Sequence, residues 1–348
     1  MKTTIKEAKA SKLDNTLKPK RILFRFLIAL LIAAAVLFPT YWFGIRAYVF
    51  RAKVRSLLSL YLDHYKPEAD RVAAREELLK YSKRAVPVLV RELEKNEKLT
   101  YSGKGAVVEL IADVKDARAI SGIIRSVIED KEHIENLRKL KYYGKMMEEA
   151  NKAEQALQDY EKYGGKVAES LGTIGHPKTL SVIEKQIKGK DDDGNYFRIF
   201  EMRVIGQMKS KEHISELIGI MKDTGKDIRL RSEAAKALGQ IGDRSATQPL
   251  IEALAYTGDV QLAAVIALGN LKDTLAVKPM IQLYYSPPFS FPAGLQRNII
   301  FSLGDIGGRD AVAELIKIYQ TSTDNELRES AKEAYDIMTK ARSKGKTK

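Results

Sequence analysis

Apolar residues fall three and four positions apart through most of this chain, with charged residues filling the intervals, the pattern of amphipathic helices. The clearest stretch is RSEAAKALGQIGDRSATQPLIEAL, from Arg231 to Leu254. Ala234, Ala235, Leu238 and Ile241 mark the buried stripe of one helix, and Leu250, Ile251 and Leu254 that of a second. Gly242 and Asp243 make the turn, glycine releasing the first helix in a left-handed conformation and Asp or Ser offering a cap to the next. Pro249 falls early in the second helix, where a missing N–H does little harm.

The same unit recurs from Ala168, Met202, Val265 and Ile300, with equivalent glycines at Gly172, Gly206, Gly239, Gly269 and Gly304. Their separations of 34, 33, 30 and 35 residues are those of a helical-hairpin repeat. An earlier copy from Glu109 has Ala112 in place of the glycine, and another from Arg75 keeps the proline, giving seven units. The turn Gly239, Ile241, Gly242, Asp243 followed by Ala246, Pro249, Leu250 and Ile251 resembles the HEAT-like repeats of the bilin-lyase type, over residues 70–338. The resemblance implies an all-α fold, an α-solenoid of about seven helical-hairpin repeats over 70–339, curved and right-handed, with the second helix of each pair lining the concave face. It implies a fold more firmly than a function.

Two segments break the period. Residues 130–163 read as two elongated helices turning near Gly144, either a projecting hairpin arm or a degenerate repeat packed in line. Tyr142, Tyr143 and Met146 at its turn are candidate partner contacts. Between Gly269 and Gly304, Tyr284, Tyr285, Phe289 and Phe291 are interleaved with Pro287, Pro288 and Pro292, a non-helical aromatic loop that either anchors a partner or covers the next pair.

The N-terminal part has a different pattern. After a basic segment over 1–25, residues 26–45 carry no charge, long enough as a helix of about 1.5 Å per residue to cross the roughly 30 Å of bilayer hydrocarbon. Arg25 and Arg46 bound it, and Tyr41, Trp42 and Tyr48 form an aromatic belt at one end. A cleaved signal peptide ending near Ala33 to Ala35 is the alternative. The sequence therefore predicts one transmembrane helix, a juxtamembrane helix over 46–69, and a single-pass inner-membrane protein whose solenoid is periplasmic or extracellular, the N-terminal side being the more basic.

Composition adds limits. The formal charge of +14 is concentrated at the ends: residues 1–55 hold 12 Lys/Arg against 2 Asp/Glu, and 340–348, read as a disordered tail, hold 5 against none. The body between is close to neutral, which points away from nucleic acid and from glycosylases built on HEAT-like stacks. No cysteine is present, so no thiolate site or disulfide exists. Asp191, Asp192, Asp193, Gly194 and Glu201 fail the calcium-loop register, because Gly189 and Phe200 would stand where carboxylates are required. The four histidines, His64, His133, His176 and His213, are scattered. Solenoid di-iron hydroxylases share the repeat type but use His-Glu dipeptides, and here only the reverse order occurs, at Glu132-His133 and Glu212-His213. Asp243, Asp273 and Asp305, with Arg231 and Arg297, recur at turns or helix starts and read as caps. The expectation is thus a tethered, non-catalytic scaffold for a protein or peptide, without cofactor, metal, nucleic acid or small-molecule substrate. The alternative is a bilin-lyase-like or other modifying enzyme with a groove pocket.

Overall fold

A computed structural model describes residues 41, 43–95, 98–128, 147–188, 195–286 and 294–345. The described residues are all-α, and the chain divides into two compact units, Met1–Lys80 and Tyr81–Lys348.

In the first unit a helix over 43–62, α1, is followed by α2, Glu68–Lys80, whose first turn opens on the Pro67 carbonyl. Val54 and Leu58 of α1 and Ala74 and Leu78 of α2 are buried, and Lys53 Nζ pairs with Glu77 at 2.7 Å. The span expected over 26–45 lies outside the described residues, apart from Tyr41 and 43–45. Among the described residues no helix is long and apolar enough to cross a membrane. The single-pass inner-membrane placement, with a periplasmic or extracellular solenoid, is therefore corrected. α1, which follows the uncharged run, carries Arg46, Arg51, Lys53 and Arg55, and hydrocarbon does not accept such a helix. Of the residues assigned to a membrane interface, Arg25 and Trp42 lie outside the described residues, Arg46 stands on α1, and Tyr41 and Tyr48 are exposed.

The second unit alternates first and second helices. After α3, Val86–Lys95, come the pairs α4, Tyr101–Val114, with α5, Ile120–Ile128; α6, Met147–Ile174, with α7, Thr179–Ile187; and α8, Tyr196–Gln207, with α9, Ile214–Lys222. They continue as α10, Ile228–Ile241, with α11, Thr247–Ala253; α12, Asp259–Leu271, with α13, Val277–Tyr285; and α14, Leu295–Ile306, with α15, Arg309–Thr321. The last helix, α16, runs Asn325–Gly345, past the point where the sequence places a disordered tail. Residues 129–146 of the expected arm are outside the described residues, and its second half is continuous with a repeat helix in the 28-residue α6.

Each turn is made by the residues the sequence supplies for it. Gly242 closes α10 at φ 75°, Lys115 and Lys272 take the same left-handed conformation in their repeats, and an Asp then caps a short 3₁₀ turn. Asp116, Asp243 and Asp273 each accept the backbone N–H two residues on. They also tie repeats together: Lys211 Nζ reaches Asp243 at 2.9 Å and Thr247 Oγ1 donates to Asp273 at 2.8 Å. Asp305 is different. It lies inside α14, where burial pushes its carboxyl above the usual range and Lys272 opposes the shift, so it is no cap.

A second tie is absent from the sequence reading. Eight residues before the repeat glycine, Arg231 Nε, Gln261 Nε2 and Gln296 Nε2 donate to the carbonyls of Met221, Leu254 and Tyr284, at 3.0, 2.8 and 3.2 Å. They satisfy carbonyls that the end of each preceding second helix leaves open. Gln296, not Arg297, is the counterpart of Arg231; Arg297 pairs with Glu326 instead.

First helices stack face to face, and the repeat glycines stand where they meet. A Cβ on Gly239 would lie 2.6 Å from the Ala267 Cα, with the neighbouring contact at Gly206 to Ala237 only slightly looser. Around this row Ala234, Leu238, Ala264, Leu268, Ile299 and Leu303 are fully buried, each large side chain contributing about 1.5–3 kcal/mol. Gly239→Ala is expected to lower stability by about 1–3 kcal/mol through overpacking. Gly165→Ala, with open space around it in mid-helix, should raise stability by about 0.5–1 kcal/mol. Urea unfolding of both variants checks the pair, and equal effects would contradict the close approach.

Asp243 supplies a pH test. The Ser245 backbone N–H, and then Lys211, hold its carboxyl at about 2, below the ordinary 3.8. A depressed carboxylate stabilises the fold above its unfolded pKa, and the contribution fades as pH falls towards the folded value. Asp243→Ala should therefore be more destabilising at pH 7 than at pH 3; a pH-independent deficit would contradict this.

Candidate substrate groove on the first-helix row

A cavity of about 330 Å³ opens on the exposed side of the first helices. Its lining follows from helical spacing. Three successive helices each contribute side chains at i, i+3 and i+7: Tyr196, Ile199 and Arg203 from α8, Arg229, Ser232 and Lys236 from α10, and Asp259, Leu262 and Ile266 from α12. These are the positions ten, seven and three residues before Gly206, Gly239 and Gly269. Glu233, Ala263 and, from α6, Glu161 complete the wall. The cavity thus stands on the first-helix row, whereas the repeat resemblance points to the second helices for the concave face.

The charges are arranged in layers. Glu233 is nearly buried and accepts from Arg203 Nε at 3.2 Å and Lys236 Nζ at 3.4 Å. Two cations on one carboxylate leave a net positive floor. Arg203 spends only Nε on this pair, and its two terminal nitrogens make no other hydrogen bond among the described residues. Asp227 caps α10 and pairs with Arg229 at 3.2 Å; Arg229, through its side-chain bond first, holds the Asp227 carboxyl below the usual range. Asp259 and Glu161 stand at the rim, and Asp259 occupies the first turn of α12, where the helix dipole favours a negative charge. Ile199, Leu262 and Ile266 are the apolar side chains, Ile266 being 39% exposed.

An aromatic cluster backs the α8 side. Tyr196 stacks on Tyr160 at 4.9 Å between centroids, and Tyr101 meets Tyr160 at 5.3 Å and Tyr163 at 5.9 Å. Tyr160 Oη donates to the Val127 carbonyl at 2.7 Å, and Tyr163 Oη and Ser126 Oγ are 2.6 Å apart. From Tyr160 onward α6 therefore packs in the row with its neighbours.

Of the residues singled out in the sequence as partner contacts, the two that are described, Tyr284 and Tyr285, do not line this cavity. Tyr142, Tyr143, Met146, Phe289 and Phe291 lie outside the described residues. Tyr284 is buried, its phenol raised by burial. Tyr285 is half exposed on α13, with its hydroxyl on Glu314 at 2.5 Å and the Lys317 ammonium 4.5 Å above its ring. Glu201, weighed for calcium, is buried against Arg198. The groove residues were open to discovery: reading back ten, seven and three positions from three glycines finds nine of them.

Residues 192–259 match the family model of HEAT repeats. Deoxyhypusine hydroxylase of Gallus gallus is 25% identical over 169 residues, 42% of this chain and 55% of that protein, so the chain spans about half the length of the curated relative it matches. Two solved structures are similar over most of the chain. Human deoxyhypusine hydroxylase in complex with glycerol has a TM-score of 0.33 and 15% identity, covering 85% of this chain and 99% of that one. The CpcE and CpcF complex of phycocyanin lyase from Nostoc sp. PCC7120 has a TM-score of 0.37 and 14% identity, covering 82% and 94%. At these TM-scores neither superposition says anything about function. The curated match does correct one expectation: a chain read as non-catalytic has an enzyme as its relative.

The residues do not fit a hydroxylase metal centre. Among the described residues no three His, Asp or Glu side chains gather as ligands, and no His-Glu dipeptide occurs in the sequence.

Removing the Arg203 guanidinium leaves Glu233 buried with Lys236 as its one remaining cation, at 3.4 Å. Arg203→Met should cost about 1–3 kcal/mol, and adding Glu233→Leu should recover part of that loss. A double-mutant cycle by urea unfolding checks this; additive losses would contradict the pairing. Of the units read from the sequence as bilin-lyase-like, those within 192–259 match HEAT repeats, and the second unit continues the same alternation of first and second helices.

Proposed function

We propose that this protein is a modifying enzyme acting on a protein substrate that enters the groove of the first-helix row. The observation that carries the reading is the cavity itself: three repeats present apolar, cationic and carboxylate side chains into one space. The curated enzyme relative supports the same class. Deoxyhypusine hydroxylation itself is not carried over, since the ligand set it would need is missing from the described residues. The groove offers the Asp259 and Glu161 carboxylates and the Lys236 ammonium for proton transfer, with Arg203 to hold an anionic group.

A second reading, a scaffold that holds a protein without altering it, is favoured by exposed apolar side chains on the last second helices, Tyr285, Ile316 and Tyr319. One experiment separates the two. Cells lacking the protein are complemented with wild type, Asp259→Asn or Lys236→Gln, and their proteomes are compared by intact-protein mass spectrometry. A mass change on a defined protein that appears with wild type and is lost or reduced at least tenfold in the variants is the expected result. Identical masses in all strains, with a protein co-purifying unmodified, would overturn the enzyme and favour the scaffold.

A further inference from the structure

Resting on that reading, we propose that the groove selects its substrate through an extended peptide segment in which an acidic residue and an apolar residue stand about four positions apart. Arg203, Lys236 and Ile266 occupy one register position, three residues before the glycine in consecutive repeats. They therefore lie in file across the first helices, and packed helices are spaced about 8–10 Å apart. Extended chain advances about 3.3 Å per residue with side chains alternating between its two faces, so residues four apart point the same way and lie about 13 Å from each other, one and a half helix spacings. A carboxylate seated between Arg203 and Lys236 brings the side chain four residues away over Leu262 and Ile266.

Charge and surface both favour this occupant. The Arg203, Lys236 and Glu233 trio carries one net positive charge, and its negative member is the buried one, so the ligand meets the cations first. The terminal nitrogens of Arg203 are free to take a carboxylate in a bidentate fork. One repeat along, Ile266 is 39% exposed beside the half-buried Leu262, an apolar surface without charge of its own. Asp259, on the same helix as Leu262 and Ile266, disfavours a second carboxylate at the apolar end and so limits which direction fits.

The test uses the full chain and an array of fluorescent decapeptides in a Gly/Ser background. Each carries one Glu and one Leu separated by one to six positions, and a matching set has Gln for Glu. Anisotropy should show tightest binding at a separation of four, at least fivefold weaker binding for the Gln peptide, and an acid preference that fades with salt. Lys236→Gln should abolish the preference for Glu over Gln without weakening the Gln peptide, whereas Ile266→Ser should weaken both. Equal binding of Glu and Gln peptides, or no dependence on separation, would overturn the inference. Peptide selectivity without any modified protein in cells would sink the enzyme reading and leave this one standing. A modified protein whose recognition ignores the Glu would do the reverse.

Discussion

The contact on which the whole arrangement depends is the approach of one first helix to the next. At Gly239 there is no room for a Cβ beside the Ala267 backbone, and the same position meets Ala237 and Ser302 in the neighbouring repeats. Close stacking puts each helix in register with the last, so a position on one helix has an equivalent a fixed step away on the next. Repetition of a structural contact thereby becomes repetition of a surface. The groove is the exposed face of that register, and its nine principal side chains are three positions read off three times.

What differs among the repeats is chemistry on a constant frame. The register position three before the glycine is Arg203, then Lys236, then Ile266, while the buried stripe stays mostly apolar. Cross-repeat ties are made by capping aspartates and by side chains that reach back to helix-end carbonyls, so they draw on residues that do not face the groove. Surface residues are then free to vary without loosening the stack. Glu233 is the exception: it is nearly buried, and its two cations hold it and define the floor together.

Much of this was legible in the sequence. The glycine spacing gave the repeats, their boundaries and the capping role of Asp243 and Asp273, because these follow from local backbone rules that any copy must obey. Asp305 misled because an aspartate just after a repeat glycine looks like a turn residue, and only the continuation of α14 through Ile306 separates it from the caps. The groove escaped because mixed charged and apolar residues at one register position look like ordinary solvated faces until three helices are laid side by side. The aromatic residues drew attention instead, yet Tyr284 is buried and Tyr160, Tyr163 and Tyr196 hold α6 to its neighbours. The uncharged run at 26–45 suggested a spanning helix, whereas no helix among the described residues is long and apolar enough to be one.

The central claim is that the working face is the first-helix row, and site-specific photocrosslinking in cells tests it most directly. A benzophenone side chain placed at Leu262, in the groove, should yield a defined adduct with a protein, and one placed at Lys278, exposed on the second-helix row, should yield none. Adducts from position 278 with silence at 262 would contradict it.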